Sequence, residues 1–220
     1  MMDLLVLSIF PGIDLLGRAF EEEGYCVVRG PDLLWGGDIK TFHPPAGRFQ
    51  GVIGGPPCVG ESQWSYLNTN RGYSLWSEAM RVIDESKPEW WVLEAVIKHD
   101  APYVIKLSPR YLGEKQRRVR YFHSNLNLES YIEISLFDNP VKEDCVLATE
   151  YSKGHRMKTG AYYDGYHPSR PWKTLCELQG LPEDFDLLPF TKEWKGKVLG
   201  NGVPLPMGRA IAKAVRKATL

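Results

Sequence analysis

Cysteine is scarce in these 220 residues. The four present, Cys26, Cys58, Cys145 and Cys176, lie far apart, with no CxxC pair and no histidine at zinc-ligand spacing. That pattern argues against a metal centre and against a disulfide framework, and it favours a reducing compartment, so a cytoplasmic location is expected. Net charge is lacking as well, since 27 basic residues balance 27 acidic ones. Such a chain does not attract a polyanion through its overall field, and any nucleic-acid surface must be a local patch. No apolar run approaches the roughly 18 residues that a membrane span requires. The opening MMDLLVLSIF has no basic leader and runs straight into a glycine turn, which reads as a first strand and not as a signal peptide. What the chain does have is length and 43% hydrophobic residues, enough for one main domain with a proper core.

The most informative stretch is QGVIGGPPCVGES, residues 50–62. A short apolar strand enters Gly54-Gly55-Pro56-Pro57, and the next residue is Cys58. A strand running into a stiff Gly/Pro loop presents a side chain at the carboxyl edge of a sheet, where open α/β sheets place their ligands. Cys58 is therefore a candidate nucleophile, against the alternative that it packs as a small apolar group.

Strands and helices alternate through the first half. Leu4 to Phe10 is a β-type run, Pro11-Gly12 turns the chain, and Leu15, Leu16, Ala19 and Phe20 mark one face of a helix ending at Gly24. Tyr25 to Arg29 predicts a second strand, Gly36-Gly37-Asp38-Ile39 another strand end, and residues 75–86 a helix. Lys87-Pro88 then leads into the strand Trp90 to Leu93. This order predicts a mostly parallel sheet with helices on both faces. Its strand ends carry Phe10-Pro11-Gly12, Pro31-Asp32, Asp38-Ile39, Cys58 and Glu94. A carboxylate after four apolar residues, as at Glu94, is costly unless it is paired or sits in a site, or else lies exposed at the strand end.

Between Lys106 and Arg120 stand six basic residues against one acid, with Tyr111 interleaved and Tyr121 and Phe122 following. A charge run is commonly a solvated face. In Gln116-Arg117-Arg118-Val119-Arg120, however, alternation sends Gln116, Arg118 and Arg120 to one side, which suits a base edge or phosphates.

Strand-Gly-Pro-Pro-Cys, strand-Glu-Ala-Val, Gln-x-Arg-x-Arg and a late Gly-Asn-Gly-Val-Pro, in this order, resemble the DNA (cytosine-5)-methyltransferases over nearly the whole chain. The resemblance implies a Rossmann-like S-adenosylmethionine-dependent methyltransferase sheet. It implies that the cofactor is held by Phe10, Gly12, Ile13 and Asp14 at the first turn and by Asp32, Asp38 and Ile39 beyond it. Pro56, Leu75, Asn201 and Val203 complete that set. It further implies that Cys58 adds to C6 of cytosine, that Glu94 is the acid partner at N3, and that Arg120 holds O2 with Arg118 beside it. A free thiol is only a few per cent ionised at pH 7, so the site must help Cys58. Because C5 and C6 are hidden in a stacked duplex, the base would be flipped into the crevice. Gln116 and Arg117, with Lys153, Arg156 and Lys158 from a basic, tyrosine-rich segment, are the expected contacts to double-stranded DNA.

The chain departs from the family pattern at Val59, where glutamine is usual, and at Ala95, where asparagine is usual. Ser8 stands where an acid is common and Asp14 where glycine is common, which suggests that Asp14 supplies the lost carboxylate to the cofactor ammonium. The expected organisation is a catalytic core over residues 1–123, a small target-recognition region over 124–169 with a strand-like stretch at 125–137, and returning motifs over 170–220. A monomer from a prokaryote or its virus, with no metal and no membrane association, completes the expectation. An RNA cytosine methyltransferase and an inactive binding relative are the alternatives.

Overall fold

The computed structural model describes residues 4–57, 75–151 and 170–219. Its centre is a six-stranded sheet in the order β2-β1-β3-β4-β7-β5. The strands are β1 (Leu5–Ile9), β2 (Cys26–Arg29), β3 (Gly51–Gly54), β4 (Trp90–Ala95), β5 (Tyr103–Leu107) and β7 (Arg120–Ser124). The first four pair in parallel. β7 runs antiparallel between β4 and β5. A two-residue pair, β6 (Gln116–Arg117) with β8 (Glu143–Asp144), lies apart from this sheet.

Both faces of the sheet are covered, which is why its central strands are apolar on both sides. Val6, Ile53 and Val92 face one core, and Leu7, Ile9, Val52 and Leu93 face the other. The first core receives α1 (Leu15–Glu22) and α5 (Leu205–Thr219) through Leu16, Phe20, Met207 and Ile211. Phe20 stacks on Trp90 at 5.7 Å. The second core receives α2 (Trp76–Ser86), whose Ala79, Val82 and Ile83 recur at helical spacing. α2 ends at Lys87 in a left-handed conformation, directly before Pro88, which cannot continue the helix. The last part of the chain, α3 (Trp172–Leu178), α4 (Lys192–Asn201) and α5, returns to the first core through Leu175, Leu199 and Val203.

Two sequence expectations are corrected. No strand ends at Gly36–Ile39. Asp32 and Asp38 instead cap two successive 3-10 turns, Leu33–Trp35 and Ile39–Thr41, by accepting from Leu34 N and Lys40 N. The stretch 125–137 holds a 3-10 turn, Glu129–Tyr131, in place of a strand. Leu128 and Val146, both fully buried, join the first core, so this stretch is laid on the main domain.

The topology sets up a single edge. β4 and β7 are antiparallel, with Ala95 opposite Tyr121. The carboxyl ends of β1, β3 and β4 therefore share an edge with Arg120, the first residue of β7. Among the described residues no helix is long and apolar enough to cross a membrane.

Candidate active site

At the end of β1 the chain makes a tight turn in which Phe10 (φ 52°), Gly12 (φ 56°) and Asp14 (φ 55°) are left-handed. Asp32 ties this turn to the chain after β2, its carboxylate accepting from Gly12 N at 2.8 Å and from Leu34 N at 2.8 Å. On the other side of the turn, Asp14 caps α1. Its Oδ1 accepts from Ser8 Oγ (2.8 Å) and Gly17 N (3.1 Å), and Arg29 Nε stands 2.9 Å from Oδ2. Burial pushes the Asp14 carboxyl above the usual aspartate range, while the Ser8 hydroxyl, Arg29 and the Gly17 amide pull it down.

The expectation that Asp14 meets a cofactor ammonium directly is corrected by this placement. The carboxylate is 3% exposed and turned against Ser8 and the first turn of α1. It does sit beside the Ser8 hydroxyl, so a carboxylate from position 14 stands next to position 8.

Other residues assigned to the cofactor gather nearby. A Cβ at Gly202 would stand 3.0 Å from Leu15 Cδ1, which lays the turn Asn201–Gly202–Val203 on the start of α1, with Asn201 exposed and Val203 buried. Phe10, Ile39 and Leu75 pack into the second core, Ile13 against the first, and Pro56 is buried at the end of β3. Arg81 of α2 donates to the Ile39 and Phe42 carbonyls and holds the Asp38 turn in place, while Asp38 itself is exposed. One member of this group escapes sequence reasoning. Trp35, 60% exposed, donates its Nε1 to Gly12 O at 2.7 Å and meets Phe190 edge-on at 5.9 Å. An aromatic directly before the Gly36-Gly37 turn was the available signal.

Glu94 and Arg120 form the second half of the site. Arg120 Nε lies 2.6 Å from Glu94 Oε1, with the two side chains 16% and 11% exposed. A Cβ at Gly55 would stand 3.2 Å from Glu94 Oε2, so this pair abuts the start of the Gly55-Pro56-Pro57 loop. Cys58 follows that loop directly and lies outside the described residues, as do Lys153, Arg156 and Lys158.

Gln116 and Arg118 are not at this edge, and their assignment to substrate or catalysis is corrected. Gln116 is fully buried; its Nε2 donates to Leu178 O at 2.6 Å, and its Oε1 accepts from Val146 N at 3.3 Å. Arg118, 4% exposed, donates to Val146 O and to Gly200 O, each at 2.9 Å. Burial, with the like charge of Arg120 behind it, pushes the Arg118 guanidinium down to about 9, still cationic at neutral pH.

The basic run around them is largely engaged as well. Arg110 donates to the carbonyls of Asn139 and Val141 and pairs with Asp138. Lys115 pairs with Glu177, and Arg117, exposed, pairs with Asp144. Of the six, Lys106 alone has no such partner among the described residues, so most of the run's charge is engaged within the chain.

Comparison with known proteins yields no matching family model and no matching curated protein. Solved structures do match. A candidate DNA modification methyltransferase encoded within an E. coli prophage superposes with a TM-score of 0.68 at 15% identity, covering 98% of this chain and 99% of the other. The S. pombe Dnmt2 methyltransferase gives 0.63 at 13% identity over 98% and 99% of the two chains. The Entamoeba histolytica methyltransferase EhMeth gives 0.62 at 11% identity over the whole of both. At these identities the likeness is one of fold, and the chain has the Rossmann-like α/β fold of these methyltransferases.

Proposed function

We propose that the protein transfers a methyl group from S-adenosylmethionine to C5 of cytosine in double-stranded DNA. The observation that carries this reading is the Glu94–Arg120 pair at 2.6 Å, held against the loop that leads to Cys58. A carboxyl group and a guanidinium side by side match the edge of cytosine, whose O2 accepts while N3 takes a proton. Among the described residues nothing lies within 4 Å of the point where a Gly12 Cβ would stand, which leaves the first turn open to a bound cofactor. Phe10, Gly12, Ile13, Asp32, Asp38 and Ile39 would hold it on that side, and Pro56, Leu75, Asn201 and Val203 on the other. When bound, S-adenosylmethionine supplies an electrophilic methyl group.

The chain's own residues do the rest. As a flipped cytosine enters, Arg120 moves onto O2, and Glu94, released from its ion pair, takes a proton from solvent and holds it on N3. That proton draws electrons from C6, where the Cys58 thiolate adds, and C5 becomes nucleophilic. C5 takes the methyl group and then gives up its proton to a base. Departure of the Cys58 sulfur and return of the N3 proton restore the aromatic ring.

The test offers methyl-labelled S-adenosylmethionine with duplex DNA, single-stranded DNA and RNA, to the wild type and to Cys58→Ala. Label in duplex cytosine, lost in Cys58→Ala, is expected. Label in RNA alone would replace the DNA reading, and label in none would remove the enzyme reading.

A further inference from the structure

Among the described residues, α4 carries two exposed lysines set against aromatic rings. Thr191 caps this helix, and its outward face carries Trp194, Lys197 and Asn201 at i, i+3 and i+7. Trp194 is 46% exposed, and Lys197 Nζ stands 4.3 Å from the centre of its ring. At the start of the helix, Lys192 Nζ stands 4.7 Å from the ring centre of Tyr151. Neither lysine pairs with a carboxylate among the described residues, whereas neighbouring Lys173 and Lys195 pair with Glu183 and Asp186. From Trp194 to Asn201 the stripe spans about 10 Å at 1.5 Å per residue. It ends at the Gly202 turn, which rests on the start of α1 beside the crevice.

We propose that this face of α4 is a docking surface for the sugar-phosphate backbone of the DNA that flanks the target cytosine. Lys192 and Lys197 take phosphates, and Trp194 packs a sugar or an unpaired base on the ring face away from Lys197. Charge complementarity selects the partner. Ammonium groups without carboxylate partners, interleaved with aromatic rings, match alternating phosphates and rings, and a tryptophan left 46% exposed is otherwise a cost. At about 3.4 Å per nucleotide along one strand, the stripe reaches about three phosphates from the crevice. The inference rests on the proposed action on DNA, and it adds α4 to the phosphate contacts expected from the sequence.

Anisotropy of a labelled duplex oligonucleotide, titrated at several salt concentrations, provides the test. Lys192→Glu with Lys197→Glu is expected to weaken binding at least about tenfold and to reduce the slope of log affinity against log salt by about two. Trp194→Ala is expected to weaken binding about fivefold with the slope unchanged. The same charge change on α5, Lys213→Glu with Lys217→Glu, is expected to stay within about twofold. Melting temperature and S-adenosylmethionine affinity, measured on each protein, are expected to match wild type, except for a lower melting temperature in the α5 variant, which loses the Lys217–Glu133 ion pair. Wild-type binding in the α4 double variant would overturn this inference and leave the proposed function standing, as would an equal loss in the α5 variant. A wild-type protein that binds no nucleic acid at low salt would overturn both.

Discussion

Arg118 and Arg120 are two residues apart and of one type, yet they belong to different regions with opposite uses. Arg120 opens β7 at the sheet edge and meets a carboxylate beside the Cys58 loop. Arg118 points inward, where two backbone carbonyls from distant parts of the chain accept its hydrogen bonds. Around it Gln116 and Gln179 do similar work. Gln179 Nε2 donates to Leu199 O at 2.6 Å, and together these side chains join the starts of β6 and β7 to the ends of α3 and α4. The edge thus holds a charged pair that a ligand can open, while the interior holds polar groups bonded to the backbone, Arg118 through both terminal nitrogens though not through Nε. A buried donor bonded to carbonyls is expensive to remove, and at 4% exposure Arg118 is out of a substrate's reach.

The most forceful way to break this contrast is to delete each arginine in turn. Arg120→Ala is expected to lower methyl transfer about 10³-fold, about 4 kcal/mol in barrier, with a small change in melting temperature. Arg118→Ala leaves two buried carbonyls unpaired, at about 1–3 kcal/mol each, so a stability loss of about 3 kcal/mol is expected. The protein that stays folded should turn over within about tenfold of wild type. Denaturant unfolding and single-turnover assays on both variants check this, and a catalytic defect in Arg118→Ala equal to that of Arg120→Ala would erase the distinction.

That contrast also marks how far the sequence could be read. Hydrophobic periodicity placed β1, α1, α2 and β4 to within a residue or two, because both faces of this sheet are covered and its strands are continuously apolar. Glycine, proline and strand-end acids located Gly12, Asp32 and Glu94, since such residues are costly elsewhere. Alternation through Gln116, Arg118 and Arg120 named three side chains with one direction but could not say what lay there. Their partners, Leu178, Val146, Gly200 and Glu94, are 26 to 82 residues away in the chain. The Gly36–Ile39 error has a different cause. Asp32 and Asp38 bond the backbone two residues on, and this local competition forms a turn where the glycines suggested a strand end.

A smaller effect sharpens the comparison along β7 itself. His123 is fully buried, its ring 3.2 Å from Leu93 O through Nδ1 and accepting from His99 N at 2.9 Å through Nε2. Burial pushes its pKa down to about 4, with the positive potentials of His99 and Lys98 adding to the shift and the Leu93 carbonyl opposing it. The unfolded chain, with histidine near 6.5, therefore takes up the proton first as pH falls. The stability held above pH 6.5 is lost progressively between about 6.5 and 4, to a total of about 3 kcal/mol. His123→Gln is expected to flatten this part of a stability profile measured by denaturant unfolding at pH 7.5, 6 and 4.5. A slope in the variant equal to wild type would assign the acid sensitivity to other groups.

The smallest effect concerns Asp14, the counterpart of Arg118 on the cofactor side. Like Arg118 it is buried and bonded to its surroundings, and like Arg120 it borders a proposed site. If it acts by holding the turn, its hydrogen-bonding shape matters more than its charge. Asp14→Ala loses a helix cap and keeps a left-handed conformation that alanine resists, for a combined cost of about 2 kcal/mol. Asp14→Asn keeps the acceptor for Ser8 and Gly17 and tolerates the left-handed backbone, so its cost should stay near 0.5 kcal/mol. Cofactor affinity, measured calorimetrically, should follow the same order, within about threefold of wild type for asparagine and weaker for alanine. Equal loss of affinity in both variants would mean that the negative charge itself reaches the cofactor, and Asp14 would then belong with Arg120 at the open edge.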